Sequence, residues 1–259
     1  MNEKAIIDHI VSWLGRYLER SIMRGFVVGV SGGIDSAVTS TLCAKTAAPV
    51  IALNMPILQA SDQVSRSAGH IHWLQDQFNN VIGRNVELTD SFTAIQGALP
   101  EEIQDDLTMA NTRSRLRMVT LYAFSTHHRM LVAGTGNKVE DFGIGFFTKY
   151  GDGGVDLSPI ADLMKSEVYA LARVMGIHDE ILQAKPTDGL WNDNRSDESQ
   201  IGATYDELEW AMSFEAGNGD SEKLNDRQKE LLRIYRTFNR VNRHKMEPVP
   251  VCHIPPSIR

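Results

Sequence analysis

The chain has 259 residues, enough for one large α/β domain, and its 42% hydrophobic and 23% charged content is ordinary for a globular fold. A formal net charge of −7 argues against a broad nucleic-acid-binding surface, so a polyanionic ligand has to meet locally placed cations. Nothing approaches the ~18 uninterrupted apolar residues of a membrane span, and the start, MNEKAIIDHIVSWL, carries charges within its apolar run and no signal-peptide cleavage site.

Ile6, Ile7, Ile10, Val11, Leu14 and Leu18 recur at helical spacing and predict an amphipathic helix over residues 4–23. Phe26 to Val30 reads as a buried parallel strand, followed by a loop, Ser31 to Ser36, and a helix to about Ala47. Cys43 reads as a small core residue. With Cys252 far away there is neither a disulfide framework nor a CxxC metal site, and a reducing, cytoplasmic setting is expected. Val50 to Asn54 is a second strand. Ser61 and Asp62 are expected to cap a helix with Val64, Ala68, Ile71, Leu74 and Phe78 on one face. Asn85 to Leu88 predicts a third strand, and Phe92 to Leu99 a short helix. Asp106 to His127 predicts a long helix carrying Met109, Leu116, Val119, Leu121 and Phe124, and Met130 to Ala133 a fourth strand ending in GTGNK.

Strand and helix alternate through this half, which argues for an α/β fold with a parallel sheet, helices on both faces and ligands at the carboxyl ends of the strands. Beyond residue 140 a loop rich in Gly and Asp gives way to helices near 165–175, 205–214 and 222–240. The tail from Lys245 to Arg259, with Pro248, Pro250, Pro255 and Pro256, is expected to be irregular, completing a single domain over 1–259. His127 and His128 suit a helix end, and Trp73, Trp191 and Trp210 read as packing residues.

The stretch FVVGVSGGIDS, Phe26 to Ser36, joins a strand, a glycine turn and a helix N-terminus. Paired Gly32 and Gly33 let a backbone approach a ligand, and the new helix offers open N–H groups and a positive dipole end, a combination that suits phosphate. Ser31 and Ser36 add hydroxyls. Asp35 repels phosphate unless a divalent cation bridges the two, so the loop predicts magnesium together with a nucleotide. It is neither a Walker A sequence nor GxGxxG. The plainer reading has Asp35 and Ser36 as helix caps. The loop resembles the SGGxDS sequence of the ATP pyrophosphatase (PP-loop) superfamily, whose members cleave ATP between the α and β phosphates.

A second block, GTGNKVEDFGIGFFTKYGDGGVDLSPIADLMK over residues 134–165, sets Thr135, Glu140, Lys149, Asp152, Asp156 and Lys165 on a glycine-rich scaffold. Together with SGGIDS, NTRSRLRM (111–118), PTDGLW (186–191), SDESQIGATYDELE (196–209) and HKMEPVP (244–250), it resembles the ammonia-dependent NAD synthetases over nearly the whole chain, in order. The resemblance implies an adenine nucleotide alpha-hydrolase-like fold with a helical C-terminal part. It implies that Gly29, Val30, Ser31, Gly32, Gly33, Ile34, Asp35 and Ser36 hold the phosphates of ATP, that Asp35 and Glu140 bind Mg2+, and that Thr135, Lys165 and Thr187 contact ATP. Lys165 is then the cation for departing pyrophosphate, and Asp35, Glu140 and Lys165 form the catalytic set. Arg115, Lys149, Asp156, His244 and Lys245 match positions that hold deamido-NAD, with Asn111 and Asp152 as further candidates.

The implied reaction is a two-step amidation of deamido-NAD. The nicotinate carboxylate attacks the α-phosphorus of ATP to give an adenylate and pyrophosphate, and ammonia then displaces AMP. Glutamine-using relatives carry an amidohydrolase domain for which this chain has no room ahead of its first strand, so ammonia is the expected donor. A separate glutaminase partner stays open, and a homodimer is implied. The alternatives are another PP-loop enzyme amidating or thiolating a nucleotide, or a non-catalytic adenine-nucleotide binding module. Three departures stand out: DNRSDE at 193–198 where GQTDE-like sequences are frequent, one extra residue between Glu140 and Phe146, and Met246 where Arg is frequent.

Overall fold

The computed structural model describes residues 1–187, 189–190, 196–217 and 224–259. Four parallel strands, β1 (Phe26–Gly29), β2 (Val50–Asn54), β3 (Val81–Asn85) and β4 (Leu131–Val132), form a sheet in the order β3-β2-β1-β4. The period of two divides the strand side chains between faces. Phe26 and Val28 enter one core with α1 (Glu3–Ser21), α2 (Ile34–Lys45), α3 (Ser61–Gln77) and α6 (Lys165–Val174). Val27, Ile51 and Leu53 enter another with Phe92 of α4 (Thr89–Ala98) and Met109 of α5 (Asp106–His128). Helices therefore cover both faces, as the alternation predicts.

A third core lies beside the sheet. Val139 and Ile144 pack with Tyr205, Leu208 and Ala211 of α9 (Tyr205–Ala216) and with Leu231, Leu232 and Tyr235 of α10 (Asp226–Met246). The short α7 (Asp179–Leu182) and α8 (Asp197–Ile201) lead into it. Capping boxes start both long helices here: Thr204 Oγ1 accepts from Glu207 N and Asn225 Oδ1 from Gln228 N, with each N3 side chain reaching back.

Several expectations need correction. β3 begins at Val81, pairing with Val50, and Val86 to Leu88 run past the end of β2. Gly83 conceals this strand: a Cβ there would stand 2.3 Å from Ile71 Cγ2, so the glycine serves the seating of α3 on the sheet. On α3, Ser61 and Asp62 make no capping bond, and the buried stripe is Gln63, Ser67, His70, Ile71 and Leu74, with Ala68 exposed. On α5, Val119 is exposed because the inward face is Met109, Ala110, Arg113, Ser114 and Ser125; Arg113 lies 4.6 Å over the Phe92 ring and donates to Leu190 O. α10 runs on to Met246, which puts His244 and Lys245 in its last turn instead of an irregular tail. Trp191, Asp193 to Arg195 and residues 222–223 of the expected helix lie outside the described residues.

Cys43 is buried in the first core, and Trp73 packs edge-on against Phe78. Trp73 also stacks on His70, whose Nε2 lies 3.1 Å from Ser40 Oγ. Burial pushes the His70 imidazole down from 6.5 to about 4, so the folded state holds it neutral while the unfolded chain protonates it. Its contribution is complete above about pH 6.5 and is lost as pH falls toward 4, about 2 kcal/mol of it by pH 5. Thermal melts at pH 7 and pH 5 should show this share of the drop in wild type and not in His70→Gln; equal drops would refute the assignment.

Candidate functional site

β1 is flanked by β2 on one side and by β4 on the other, so the strand order reverses at β1 and a crevice forms at the carboxyl edge. A cavity of about 670 Å³ occupies that edge, lined by every residue from Gly29 to Ser36 and by Thr135, Glu140, Lys165 and Thr187. Both glycine-bearing loops reach it, as their strand-end positions predict.

The first loop is braced from within. Ser31 N donates to Ser36 Oγ (3.1 Å), Ser36 Oγ donates to Gly33 O (2.9 Å) and Gly33 N donates to Ser31 Oγ (3.2 Å), so the two hydroxyls shape the loop as well as facing the cavity. Gly32 has φ +82°, and a Cβ there would lie 2.9 Å from Gln63 O and 3.0 Å from Ser67 N. Only glycine fits. Gly33 precedes α2 without a side-chain cap, so the first-turn N–H groups are left uncapped by any side chain at the edge of the cavity.

Asp35, in that first turn, meets residues from two distant segments. Lys165 Nζ donates to Asp35 Oδ2 at 2.6 Å and to Glu140 Oε1 at 3.0 Å, and Asn137 Nδ2 donates to Asp35 Oδ1 at 3.1 Å. Burial drags the Lys165 pKa down, but Asp35 and then Glu140 outweigh it, and the ammonium is held protonated. Burial likewise pushes the Asp35 carboxyl up against the pull of Lys165.

Glu140 sits on a π-helical turn, Val139–Ile144, where the sequence reads as loop. Asn137 Oδ1 caps it, accepting from Val139 N and Glu140 N at 3.1 Å each. Asp141 follows on the same turn and also lines the cavity, its carboxyl against Gly136. Burial, and next the Glu140 charge, push that carboxyl well above the usual range.

The other end of the cavity gathers the cationic candidates. Arg115 Nε donates to Lys149 O (3.4 Å), Lys149 Nζ donates to His244 O (2.5 Å), and Lys245 Nζ donates to Phe147 O (2.7 Å). Arg115, Lys149, His244 and Lys245 all line the cavity, as do Asn111 and Asp152. Asn111 Oδ1 accepts from Thr148 Oγ1, and Asp152 Oδ1 accepts from Ser114 Oγ and Thr148 N, so both hold the 148–152 turn in place. Asp156 is not brought in: its carboxylate accepts from Val132 N (2.8 Å) and Tyr122 OH (3.0 Å) beside β4 and does not line the cavity.

Tyr205 escaped the sequence reading. Its hydroxyl lies 2.5 Å from Glu140 Oε1 and 3.3 Å from Asp197 Oδ2, and its ring lies 4.6 Å beneath Lys165 Nζ. Burial, followed by Glu140, keeps the phenol protonated and therefore a donor. The available signal was a tyrosine directly after a Thr cap in an acidic block. Asn137, Gln63 and Arg66 were missed too, because glutamine, asparagine and helix arginine carry no local mark of chemistry.

A family model described as NAD synthase matches residues 6–249. The NH(3)-dependent NAD(+) synthetase of Mesoplasma florum is 37% identical over 238 residues, covering 90% of this chain and 93% of its own. Among solved structures, the NMN synthetase of Francisella tularensis superposes with a TM-score of 0.86 at 28% identity, covering 98% of this chain and all of its own. The NH3-dependent NAD synthetase of Campylobacter jejuni does so with a TM-score of 0.79 at 25% identity and the same coverage.

Proposed function

The chain belongs to the NAD synthase family, and from that premise we propose that it is an ATP-dependent ligase that amidates the nicotinate carboxylate of deamido-NAD with ammonia, through an adenylate, releasing AMP and pyrophosphate. The observation that carries this reading is the meeting of Asp35, Glu140 and Lys165 inside one strand-end cavity shared with the glycine loop.

The donor set fits magnesium. Two carboxylates already converge on a single cationic group, and magnesium characteristically takes one or two carboxylates and fills its shell with phosphate oxygens and water. Asp35 and Glu140 would hold it. When bound, it supplies Lewis-acid polarisation of the phosphoryl oxygens. The first-turn N–H groups of α2 and the backbone of the glycine loop bind the phosphates, and Lys165 brings a fixed positive charge to the departing pyrophosphate. Asn137 and Tyr205 orient the two carboxylates. No side-chain nucleophile is required, since the attacking group is the substrate's own carboxylate. Arg115, Lys149 and Lys245, with His244 beside them, form the basic end that receives the second, anionic nucleotide.

The same proposal includes the homodimer. Leu107 and Val119 of α5 are about 60% exposed, and Ile103 and Tyr150 are exposed as well. No helix among the described residues is long and apolar enough to cross a membrane. A cytoplasmic setting agrees with Cys43 and Cys252 as free thiols.

Incubation with ATP, Mg2+, ammonium and deamido-NAD tests the reading: NAD, AMP and pyrophosphate should appear in equal amounts. ATP binding without turnover would favour a non-catalytic module. A second reading has the same chemistry on nicotinate mononucleotide, favoured by the Francisella tularensis NMN synthetase and its TM-score of 0.86. Parallel kcat/KM values for the two acceptors decide between them. Tyr205→Phe removes one hydrogen bond to a charged ligand, so kcat should fall about 10-fold. The magnesium concentration for half-maximal ATP binding should rise; an unchanged value would remove Tyr205 from the site.

A further inference from the structure

Helix α3 presses against the glycine loop: Ser67 Oγ donates to Val30 O at 2.6 Å, and Arg66 Cβ lies 3.1 Å from the place a Cβ on Gly32 would occupy. Arg66 lines the same cavity as the loop, beside Gln63 and Gln59. Its NH1 donates to Asp62 at 2.7 Å, but the Asp62 side chain is 65% exposed, so this pair is weakly held against solvent. Its Nε is buried and has no hydrogen-bond partner among the described residues. A buried guanidinium N–H left unpaired is costly and calls for an acceptor.

Charge balance points the same way. Lys165 faces two carboxylates, so that cluster is net negative by one charge before any nucleotide arrives. One magnesium makes it net positive by one, which is still well short of a triphosphate. Nothing in that cluster supplies the remainder.

We propose that Arg66 is a second phosphate cation of this site, binding the β- and γ-phosphate oxygens of ATP and the pyrophosphate formed from them. This rests on the reading of Ser31 to Ser36 as the ATP cradle. The planar fork of arginine suits paired phosphate oxygens, and position 66 sets it against the glycine turn from α3, whereas Lys165 approaches from α6.

Calorimetric titration with pyrophosphate, AMP and ATP, in magnesium, tests this on wild type, Arg66→Gln, Arg66→Lys and Asp62→Asn. Arg66→Gln should weaken pyrophosphate and ATP about 10-fold or more, as expected for losing a charge-assisted bond, and AMP less than about twofold. Arg66→Lys should recover part of the loss. Asp62→Asn, which breaks the surface pair and keeps the arginine, should bind at least as tightly as wild type. Equal weakening of AMP and pyrophosphate, or an Asp62→Asn that behaves like Arg66→Gln, would overturn the proposal in favour of a helix staple. A wild type that binds neither ATP nor pyrophosphate would bring down the ATP reading itself. A wild type that binds both while Arg66→Gln binds equally well defeats Arg66 alone.

Discussion

Asp35→Asn is expected to lower adenylylation by about 10³-fold or more while the protein stays folded, since on the proposed assignment it removes one of the two charges that would hold Mg2+ where phosphoryl charge develops. The two halves of the prediction have separate causes. Asp35 contacts Lys165 and Asn137, and an asparagine still offers a carbonyl to one of them. Lys165 keeps Glu140 as its counter-ion. Because burial already works against the Asp35 charge, neutralising it costs the fold little. Pyrophosphate release in the presence of acceptor measures the first half, and a melting temperature within a few degrees of wild type measures the second. Mn2+ binding followed by electron paramagnetic resonance separates lost metal from lost chemistry. Near-normal pyrophosphate release from Asp35→Asn would end the metal assignment at this position.

Lys165→Met should be as inactive and also less stable. Lys165 is 4% exposed and lies between carboxylates that are 17% and 16% exposed. Methionine fills most of the space but leaves two facing carboxylates without a cation, and removing one partner of a buried ion pair typically costs 3–5 kcal/mol. The part specific to this site is its response to metal. With the ammonium gone, the carboxylates should take up magnesium without nucleotide, so millimolar Mg2+ should raise the variant's melting temperature more than that of wild type. A magnesium response equal to wild type would mean that the carboxylates do not converge as described.

Legibility differed between levels of structure, for physical reasons. Phe26 to Val30, Val50 to Asn54 and the helices at 3–21, 106–128 and 165–174 declared themselves because buried strands and amphipathic helices impose their periods locally. β3 did not: its central Gly83 reflects how closely α3 approaches, a contact made by residues twelve positions away. The buried stripe of α3 keeps the predicted Ile71 and Leu74 but adds the polar Gln63, Ser67 and His70 and leaves Ala68 exposed, which apolar spacing does not show. The π-helical turn at Glu140 lies in a glycine-rich stretch that reads as loop.

The site shows the same division. SGGIDS predicts a phosphate cradle, and Asp35 within it a cation, because glycine conformation, helix ends and carboxylate charge act over a few residues. Chain order alone puts the loop after β4 at the same sheet edge. By contrast, Lys165 as the shared partner of Asp35 and Glu140, Tyr205 as donor to Glu140, Asp156 turned to Val132 and Tyr122, and Arg66 beside Gly32 were decided by the tertiary structure. Those pairings span 24 to 130 positions of chain. Charges and hydrogen bonds depend on distances of a few ångströms, and such distances are set only when the parallel sheet and the C-terminal helices pack against one another.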